Sequence, residues 1–454
     1  MKPLLPLATA LLLAGCGEIA RLPPGADTGP RPVLAEPVRT LVPTVHIAPA
    51  RPWAEGEAPV AAAGLQVQAL ARGLDHPRWL HLLPNGDVLV AETNAPPRPQ
   101  DGQGLKAWVA GKLMARAGAT TPSANRITLL RDADGDGRAE LREVFADGLN
   151  SPFGMALVGD RFYVANTDGV LEFAYRPGQT RLAAPLRTLA PLPAGPRHHH
   201  WTKALIASRD GSRLYATVGS NSNVAEHGMA AEAGRAAIWE LDRASGASRL
   251  FATGLRNPNG MAWLPSPDGG APVLWTVVNE RDELGSDLVP DYLTAVQDGA
   301  FYGWPYSWYG AHVDARVQPP RPELVAQARV PDYALGAHVA ALGLAAAGSS
   351  PVAAALAGAS AGGGVFVGLH GSWNRQPRSG YKVVYVGFTA GRPQGAPVDV
   401  LTGFVDDQGQ ARGRPVGVAL DARGALLVAD DVGNTVWRVA PRREDAAPPA
   451  PDQR

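Results

Sequence analysis

The sequence predicts an all-β fold, a six-bladed β-propeller of four-stranded antiparallel blades, on three observations. One hairpin phrase recurs in six copies between residues 61 and 442. Its strands, such as DVLVAE and RLYATVG, are rich in β-branched and aromatic residues, which favour strands over helices. The 52 glycines and 42 prolines are spread along the chain, which is typical of many tight turns.

The copies follow one another at roughly 50 to 85 residues, which suits one four-stranded blade with its loops. Hairpin turns are predicted at Asn85-Gly86, Asp210-Gly211 and Arg423-Gly424. A β-sandwich is the rival architecture, but six copies of one phrase favour radial repetition. The copies begin at Gly73, Gly148, His200, Gly254, His338 and Gly413.

Residues 1–16 are predicted to be a signal peptide, because Lys2 is followed by a short apolar run that cannot span a bilayer. The ending Leu-Ala-Gly-Cys is similar to a bacterial lipobox, and Cys16 is the only cysteine of the chain. The alternative is an ordinary signal peptide with a chance cysteine. We expect acylated Cys16 to hold the protein on the periplasmic side of a bacterial membrane, the outer membrane, with no other membrane contact.

The segments that flank the predicted propeller lack strand or helix periodicity. Residues 17–60 are rich in proline and alanine and are predicted to be a semi-rigid tether. Residues 443–454 are predicted to be a disordered tail. The formal net charge of zero gives no indication of a nucleic-acid partner.

Polar residues recur at equivalent points of the copies, where the loops of a propeller converge on one mouth of its central channel. Surface turns would not ordinarily place so many histidines and arginines at the starts of strands. We therefore expect a functional site at this mouth. The starts of the copies hold Asn150, His200, Arg256, Asn257, His338, Arg412 and Arg414, and the ends of the second strands hold Glu92, Glu280 to Glu283, His370, Asp430 and Asp431.

A set of phrases in fixed order carries a family resemblance from about residue 65 to residue 439. They are HHHWTKAL, GLRNPNGMAW, NERDELGSDLVPDYL, FYGWPYSWYG, HGSWNRQPRSGYKVV and GRPVGVALDARGALLVADDVGNTVWRV. Together they resemble the pyrroloquinoline-quinone-dependent sugar dehydrogenases, most closely the sorbosone dehydrogenases and the soluble aldose dehydrogenases. The resemblance implies oxidation of an aldose or a sorbosone-like sugar, with pyrroloquinoline quinone and Ca²⁺ as cofactors.

The resemblance also implies residues for the cofactor, an ortho-quinone that bears carboxylates and suits bidentate guanidinium groups. Arg412 and Arg414 lie two residues apart, which on a strand would place both side chains on one face. The residues that match the cofactor-binding positions of the family are Asn150, Arg256, Asn257, His370, Arg412 and Arg414.

The oxidation of a sugar hydroxyl needs a base for the O–H proton, and histidine suits this role near neutral pH. The run His198-His199-His200 offers three candidates. The strand that follows, ALIASRDGSRLY, resembles the one that follows the catalytic histidine of the family, which selects His200. His199 is expected to orient the base or contact the substrate.

Two calcium positions are predicted. In the family, backbone carbonyls after the fourth repeat hold the cation, and here they match Asp282 and Glu283, where the glucose dehydrogenase branch has Gly-Pro instead. Independently, Asp132, Asp134, Asp136 and Glu143 fit a twelve-residue calcium loop, although strand-like flanks indicate a hairpin tip. A plain acidic turn is the alternative for that loop.

Three functions are compatible with these features. The first is a periplasmic quinoprotein that oxidises a small sugar and passes electrons to a membrane quinone or a cytochrome. The second is a calcium-dependent propeller lactonase, with Glu92, Asn257 and Asp431 as metal ligands. The third is a non-catalytic propeller that binds a surface partner. The arginines have no role in lactone hydrolysis, so the first function is favoured.

Overall fold

The computed structural model describes residues 18–40, 44–97, 111–112, 115–356 and 363–442. The predicted signal peptide with Cys16 and the predicted tail lie outside the described residues, so both stay predictions. Within the described residues, no helix is long and apolar enough to cross a membrane.

Six antiparallel sheets confirm the predicted six-bladed propeller. Each blade has four main strands, counted from the channel outward. They are Pro77–Leu82, Val88–Glu92, Arg126–Arg131 and Leu141–Ala146 in blade 1; Met155–Val158, Arg161–Ala165, Gly169–Ala174 and Arg187–Pro191 in blade 2; and Leu205–Ala207, Arg213–Val218, Ala237–Asp242 and Ser248–Thr253 in blade 3.

Blades 4 to 6 repeat the arrangement, with one added strand in blade 4 and two in blade 5. Their main strands are Asn257–Leu264, Val273–Asn279, Pro290–Val296 and Tyr333–Ala337 in blade 4; Ala341–Ala346, Gly364–Leu369, Lys382–Thr389 and Val398–Thr402 in blade 5; and Pro415–Leu420, Leu426–Asp430, Thr435–Pro441 and Leu65–Arg72 in blade 6.

The remaining described elements are short and lie between or beside the blades. They are the α-helices Pro322–Val325 and Pro351–Ala355, the 3-10 helix Met229–Glu232 and the two-residue strands Thr28–Gly29, Val60–Ala61, Ser307–Trp308, His312–Val313 and Arg392–Pro393.

The innermost strands of the six blades contact one another in a closed ring around the channel. Glycine permits the closest approaches. A Cβ atom on Gly260 of blade 4 would lie 2.5 Å from the backbone nitrogen of Leu344 in blade 5. Gly154, Gly343 and Gly417 occupy the same kind of position against the next blade, which explains why the phrase carries a glycine there.

Blade 6 closes the ring because its outermost strand, Leu65–Arg72, comes from the start of the propeller and pairs with Thr435–Pro441 at its end. The predicted copies begin just before the innermost strands, so the copies and the blades coincide. The predicted hairpin turns also lie between paired strands of blades 1, 3 and 6.

The structure differs from the prediction that residues 17–60 form a tether. The described part of residues 18–57, which we call the N-terminal strap, packs against the propeller. Trp53 is buried, with its ring centroid 5.8 Å from that of Phe404 and 5.5 Å from that of Trp437. Its Nε1–H donates to Asp430 Oδ2 over 2.7 Å. The strap has no helix or strand periodicity. It is held in place by backbone hydrogen bonds to propeller loops and by burial of this indole.

Candidate functional site

A cavity of about 370 Å³ opens at the channel mouth where the innermost strands begin. Loops before first strands and after second strands supply its walls, because these ends meet in antiparallel pairs. Its polar and aromatic lining residues are His76, Arg78, Asn94, His199, His200, Arg256, Asn257, Asn279, Glu280, Asp282, Asp291, His338, His370, Trp373, Asn374, Arg414 and Asp431.

His200 lies on one wall of the cavity, immediately before the innermost strand of blade 3. Its Nδ1 lies 2.9 Å from the backbone oxygen of Ser220 and 3.0 Å from Ser220 Oγ. The hydroxyl of Ser220 donates to the carbonyl of Ser222, so both Ser220 oxygens accept from Nδ1–H. This tautomer makes Nε2 the basic nitrogen of His200.

Arg256 is buried, and acceptors of the protein hold its guanidinium group. Nη2 donates to Asp282 Oδ2 over 2.9 Å and to Asn223 Oδ1 over 3.0 Å, and Nη1 donates to the carbonyl of Glu280. Burial alone would raise the pKa of Asp282, but the charge of Arg256, with His338, lowers that pKa below its usual range. Arg256 therefore shapes the wall rather than presenting all its donors to a ligand.

Asp431 organises the neighbouring wall. Its Oδ2 accepts from Arg78 Nη1 over 2.7 Å and lies 2.9 Å from His370 Nε2 and 3.5 Å from His76 Nε2. Burial alone would raise its pKa, but His370, His76 and Arg78 lower it. Burial lowers the pKa of His76 to about 4, so this imidazole is neutral near pH 7.

Arg414 differs from the other two cavity arginines. Its side chain is buried, and its guanidinium carbon lies 4.8 Å from the centroid of the Tyr381 ring. Among the described residues, no carboxylate lies within ion-pairing distance of it, and its Nε has no hydrogen-bond partner. An arginine that is buried, stacked and not neutralised suits an anionic ligand.

Asn257 projects into the same cavity. Its Oδ1 is buried and has no hydrogen-bond partner in the described part of the chain. Gly219 leaves room beside it, because a Cβ atom there would lie 2.4 Å from Asn257 Oδ1 and 2.5 Å from His200 Cβ. The amide of Asn257 and the imidazole of His200 therefore share one side of the cavity.

Two predicted cofactor residues do not line the cavity. Arg412 precedes the strand that begins at Pro415, so the expectation that its side chain shares a strand face with that of Arg414 does not apply. Its Nη2 lies 3.8 Å from Glu57 Oε1 of the strap instead. Asn150 is exposed, and Asn125 fixes its loop by accepting from the backbone nitrogens of Leu149 and Ser151.

The predicted carbonyl site for calcium does not fit a cation well. The carbonyl oxygen of Asp282 accepts from Arg316 Nη1 over 3.0 Å and from Asn223 Nδ2 over 3.2 Å. A guanidinium group on that oxygen repels a divalent cation. Glu283 is exposed and does not line the cavity.

The second predicted calcium loop forms a hairpin tip, as its flanks indicated. Carboxylate oxygens of Asp132, Asp134, Asp136 and Glu140 lie within 4.8 Å of one another. Glu140 takes the place expected for Glu143, which lies on the strand Leu141–Ala146. Asp132 accepts from the backbone nitrogens of Gly135 and Gly137 at 2.7 and 2.9 Å, as an acidic turn does without any ion.

Three further residues of the cavity, His76, Arg78 and Asn374, were not among the site residues predicted from the sequence. His76 precedes a proline at the start of the first copy, as Asn257 and Arg414 do in theirs. Aligning the copies on this proline would have found it. Asn374 donates to Asp282 Oδ1 over 2.8 Å from a loop outside the repeat phrase, so no repeat signal points to it.

Two family models match parts of the chain. A TrAA12-like family matches residues 326–442, and a domain of unknown function (DUF7133) matches residues 63–263. An uncharacterized protein of Borreliella burgdorferi is 24% identical over 262 residues, which are 56% of this chain. The match spans 64% of the length of that relative.

Solved structures are similar over most of this chain. The holo PQQ domain of Coprinopsis cinerea pyranose dehydrogenase is 21% identical, with a TM-score of 0.64 over 87% of this chain and 100% of that chain. A Trichoderma reesei enzyme of carbohydrate-active family AA12 is 18% identical, with a TM-score of 0.67 over 88% and 100%.

The apo soluble aldose sugar dehydrogenase of Escherichia coli is 17% identical, with a TM-score of 0.53 over 83% of this chain and 100% of that chain. The resemblance to quinone-dependent sugar dehydrogenases is thus confirmed at the level of the fold.

Proposed function

We propose that this chain is a quinoprotein dehydrogenase that oxidises an aldose or a sorbosone-like sugar with pyrroloquinoline quinone. The observation that carries the proposal is the pairing of two features in one cavity. Arg414 offers a buried guanidinium group with no carboxylate partner among the described residues, and His200 offers an imidazole whose Nδ1 is fixed by Ser220. The fold of the solved relatives supports it.

The residues of the cavity fit a planar ligand that bears carboxylates. Buried polar atoms of Arg78, Asn257, Arg414 and Asp431 have no hydrogen-bond partner among the described residues, and all four residues line the cavity. Such atoms are costly unless a ligand or water satisfies them. Arg414 would bind a carboxylate, and the amide of Asn257 would bind a ring substituent.

The chemistry divides between the cofactor and the chain. When bound, the quinone supplies an acceptor for the hydride that leaves the sugar carbon. His200 supplies the base, and the sugar O–H proton ends on its Nε2. Ser220 keeps the imidazole in the tautomer that can accept this proton, and it does so with neutral oxygen atoms rather than a carboxylate.

The lactonase alternative fits the cavity less well. It needs Glu92, Asn257 and Asp431 around one metal ion, but Glu92 does not line the cavity. Its carboxylate instead accepts from Arg126 Nε over 3.0 Å and from the hydroxyl of Thr128. A carboxylate occupied in this way inside blade 1 is not available to a metal ion in the channel.

The proposed electron acceptor is a membrane quinone or a cytochrome at the periplasmic side of a bacterial membrane. The reason lies in the sequence alone. A lipid on Cys16 would hold the enzyme beside such an acceptor.

The test is sugar-dependent dye reduction by the purified chain after addition of pyrroloquinoline quinone, with a panel of aldoses and sorbosone. We expect turnover with at least one sugar. His200→Ala should lower kcat by about 10²- to 10⁴-fold, because the general base is lost. Cofactor affinity, measured separately by titration, should change much less.

His198→Ala is the matched control, because it removes an imidazole from the same run without altering the lining of the cavity. It should retain the turnover of the unaltered chain. Absence of any sugar-dependent reduction in the cofactor-loaded chain would refute the proposal. Hydrolysis of a lactone without added quinone would favour the second function instead.

A further inference from the structure

Residues 280–286, which we call the Asp282 loop, form the part of the cavity wall where the sequence predicts calcium ligands. A calcium ion takes about six to eight oxygen ligands, so it needs oxygens that no protein donor occupies. Most carbonyl oxygens of this loop already accept a hydrogen bond. They are those of Glu280, Asp282, Leu284, Gly285 and Ser286.

Arginine side chains supply the donors at three of these carbonyls. Arg316 Nη1 donates to the carbonyl of Asp282 over 3.0 Å. Arg256 and Arg375 donate to the first and the last carbonyl of the loop. Because arginine keeps its charge at neutral pH, each of these groups is a permanent positive charge on a carbonyl oxygen. That is the arrangement that a bound cation would otherwise supply.

The remaining oxygens of Asp282 are occupied as well. Oδ2 of its carboxylate accepts from Arg256 Nη2 over 2.9 Å, and Oδ1 accepts from Asn374 Nδ2 over 2.8 Å. The carbonyl oxygen accepts a second bond, from Asn223 Nδ2 over 3.2 Å. Every oxygen of Asp282 therefore has a protein donor, and a cation could bind there only after one of these donors had left.

Asp314 holds Arg316 in this position. Its two carboxylate oxygens accept from Nε and Nη2 of Arg316 over 2.9 and 2.7 Å, which leaves Nη1 directed at the Asp282 carbonyl. Burial alone would raise the pKa of Asp314, but Arg316 and Arg281 lower it to about 2. The bidentate pair is thus charged at neutral pH and fixes the direction of the guanidinium plane.

We propose that Arg316 takes the place of a calcium ion in this chain and that the cofactor binds without a divalent cation. Arg316 is a positioning residue, which acts on the cavity through Asp282. A divalent ion at the Asp282 carbonyl would lie beside Arg256 and Arg316, and like charges repel strongly inside a protein. The proposal rests on the proposed function for the identity of the cofactor.

The first test is a titration of the unaltered full chain with pyrroloquinoline quinone, once in a chelator of divalent cations and once in excess Ca²⁺. We expect the same affinity in both, because donors of the protein itself hold the Asp282 loop. A fall in affinity of about tenfold or more in the chelator, the size that a lost partner of a metal site causes, would overturn the proposal.

The second test needs no cofactor. Arg316→Ala removes the guanidinium group from the carbonyl of Asp282 and from the carboxylate of Asp314, which leaves oxygen ligands for a cation. Excess Ca²⁺ should therefore raise the Tm of Arg316→Ala by a few degrees more than that of the unaltered chain. Arg321→Ala is the matched control, because Arg321 is exposed and is paired with Glu323; Ca²⁺ should affect it as it affects the unaltered chain.

The two tests separate the possible failures. If Arg316→Ala loses stability that Ca²⁺ does not restore, Arg316 only stabilises its loop and the proposal is overturned. If the unaltered chain binds the cofactor in neither buffer, the proposed function fails, and the Tm comparison still decides whether Arg316 stands in for a cation. Should Arg316→Ala fail to fold, the titration of the unaltered chain decides.

Discussion

Asp430 and Asp431 are adjacent residues with opposite electrostatic environments. Asp430 accepts from the indole nitrogens of Trp53 and Trp437, at 2.7 and 3.0 Å, and burial raises its pKa to about 6. Asp431 faces the cavity, where His370 and Arg78 hold it ionised. Neighbouring residues at the end of a strand point to opposite sides, so one supports the blade and the other the site.

Asp430 should make stability depend on pH. Its folded-state pKa of about 6 exceeds the ordinary aspartate value, so the folded state binds the proton more tightly. This contribution is present below about pH 4 and is lost as the pH rises to about 6. The Tm of the unaltered chain, measured by thermal denaturation, should therefore fall relative to that of Asp430→Asn as the pH rises from about 4 to about 6. A difference that stays constant from pH 4 to 6 would contradict it.

The structure brings into one cavity some of the residues that the repeat phrase singled out as site candidates. His200 and Arg414 precede innermost strands, Asn257 begins one, and all three line the cavity. Arg412 was misplaced because a strand period was extended into a bend before Pro415. The contact between Arg316 and Asp282 was out of reach, because neither spacing nor periodicity links two loops that meet only in the fold.

The innermost strands are the elements that the sequence predicted best. Each copy combines a turn, an apolar run and a hairpin, which are local signals. The strap was not predicted, because its contacts are backbone bonds to distant loops, such as His46 N–H to the carbonyl of Trp373. Proline-rich composition indicates the lack of regular structure but does not indicate where a segment docks.

The close approach of innermost strands at their glycines predicts that a larger residue there destabilises the fold. Gly260→Ala should lower the free energy of unfolding by roughly 1–3 kcal/mol, because the added methyl group meets the backbone of blade 5. Chemical denaturation measures this change. Gly111→Ala, where the added Cβ meets nothing within 4 Å, is the control and should cause no loss. Equal stability of Gly260→Ala and the unaltered chain would show that the ring tolerates a wider spacing.

At the scale of the whole molecule, the propeller is a closed ring in which the first main strand, Leu65–Arg72, pairs with the last, Thr435–Pro441. This pairing completes blade 6, and the radial arrangement of blades leaves only short sheet edges. Six blades followed from counting copies in the sequence. The pairing of Leu65–Arg72 with blade 6 lies outside any single copy, so local patterns could not reveal it.

Attachment of the whole protein to a membrane stays a prediction from residues 13–16. Expression of the full chain in a bacterial host should place it in the membrane fraction and label it with radioactive palmitate. Cys16→Ser should abolish the label and release the protein from membranes, because the acylated side chain is lost. An unlabelled protein, or one that stays in the membrane fraction as Cys16→Ser, would contradict the lipid anchor.

The central claim is that the cavity binds pyrroloquinoline quinone through Arg414, and a titration of the purified chain tests it most directly. We expect saturable binding of one cofactor per chain. Arg414→Gln should weaken it by roughly 2–5 kcal/mol, the usual cost of removing one partner from a buried charge pair. Arg412→Gln, two residues away and outside the cavity, should bind as the unaltered chain does. No saturable binding, or equal loss in both variants, would contradict the claim.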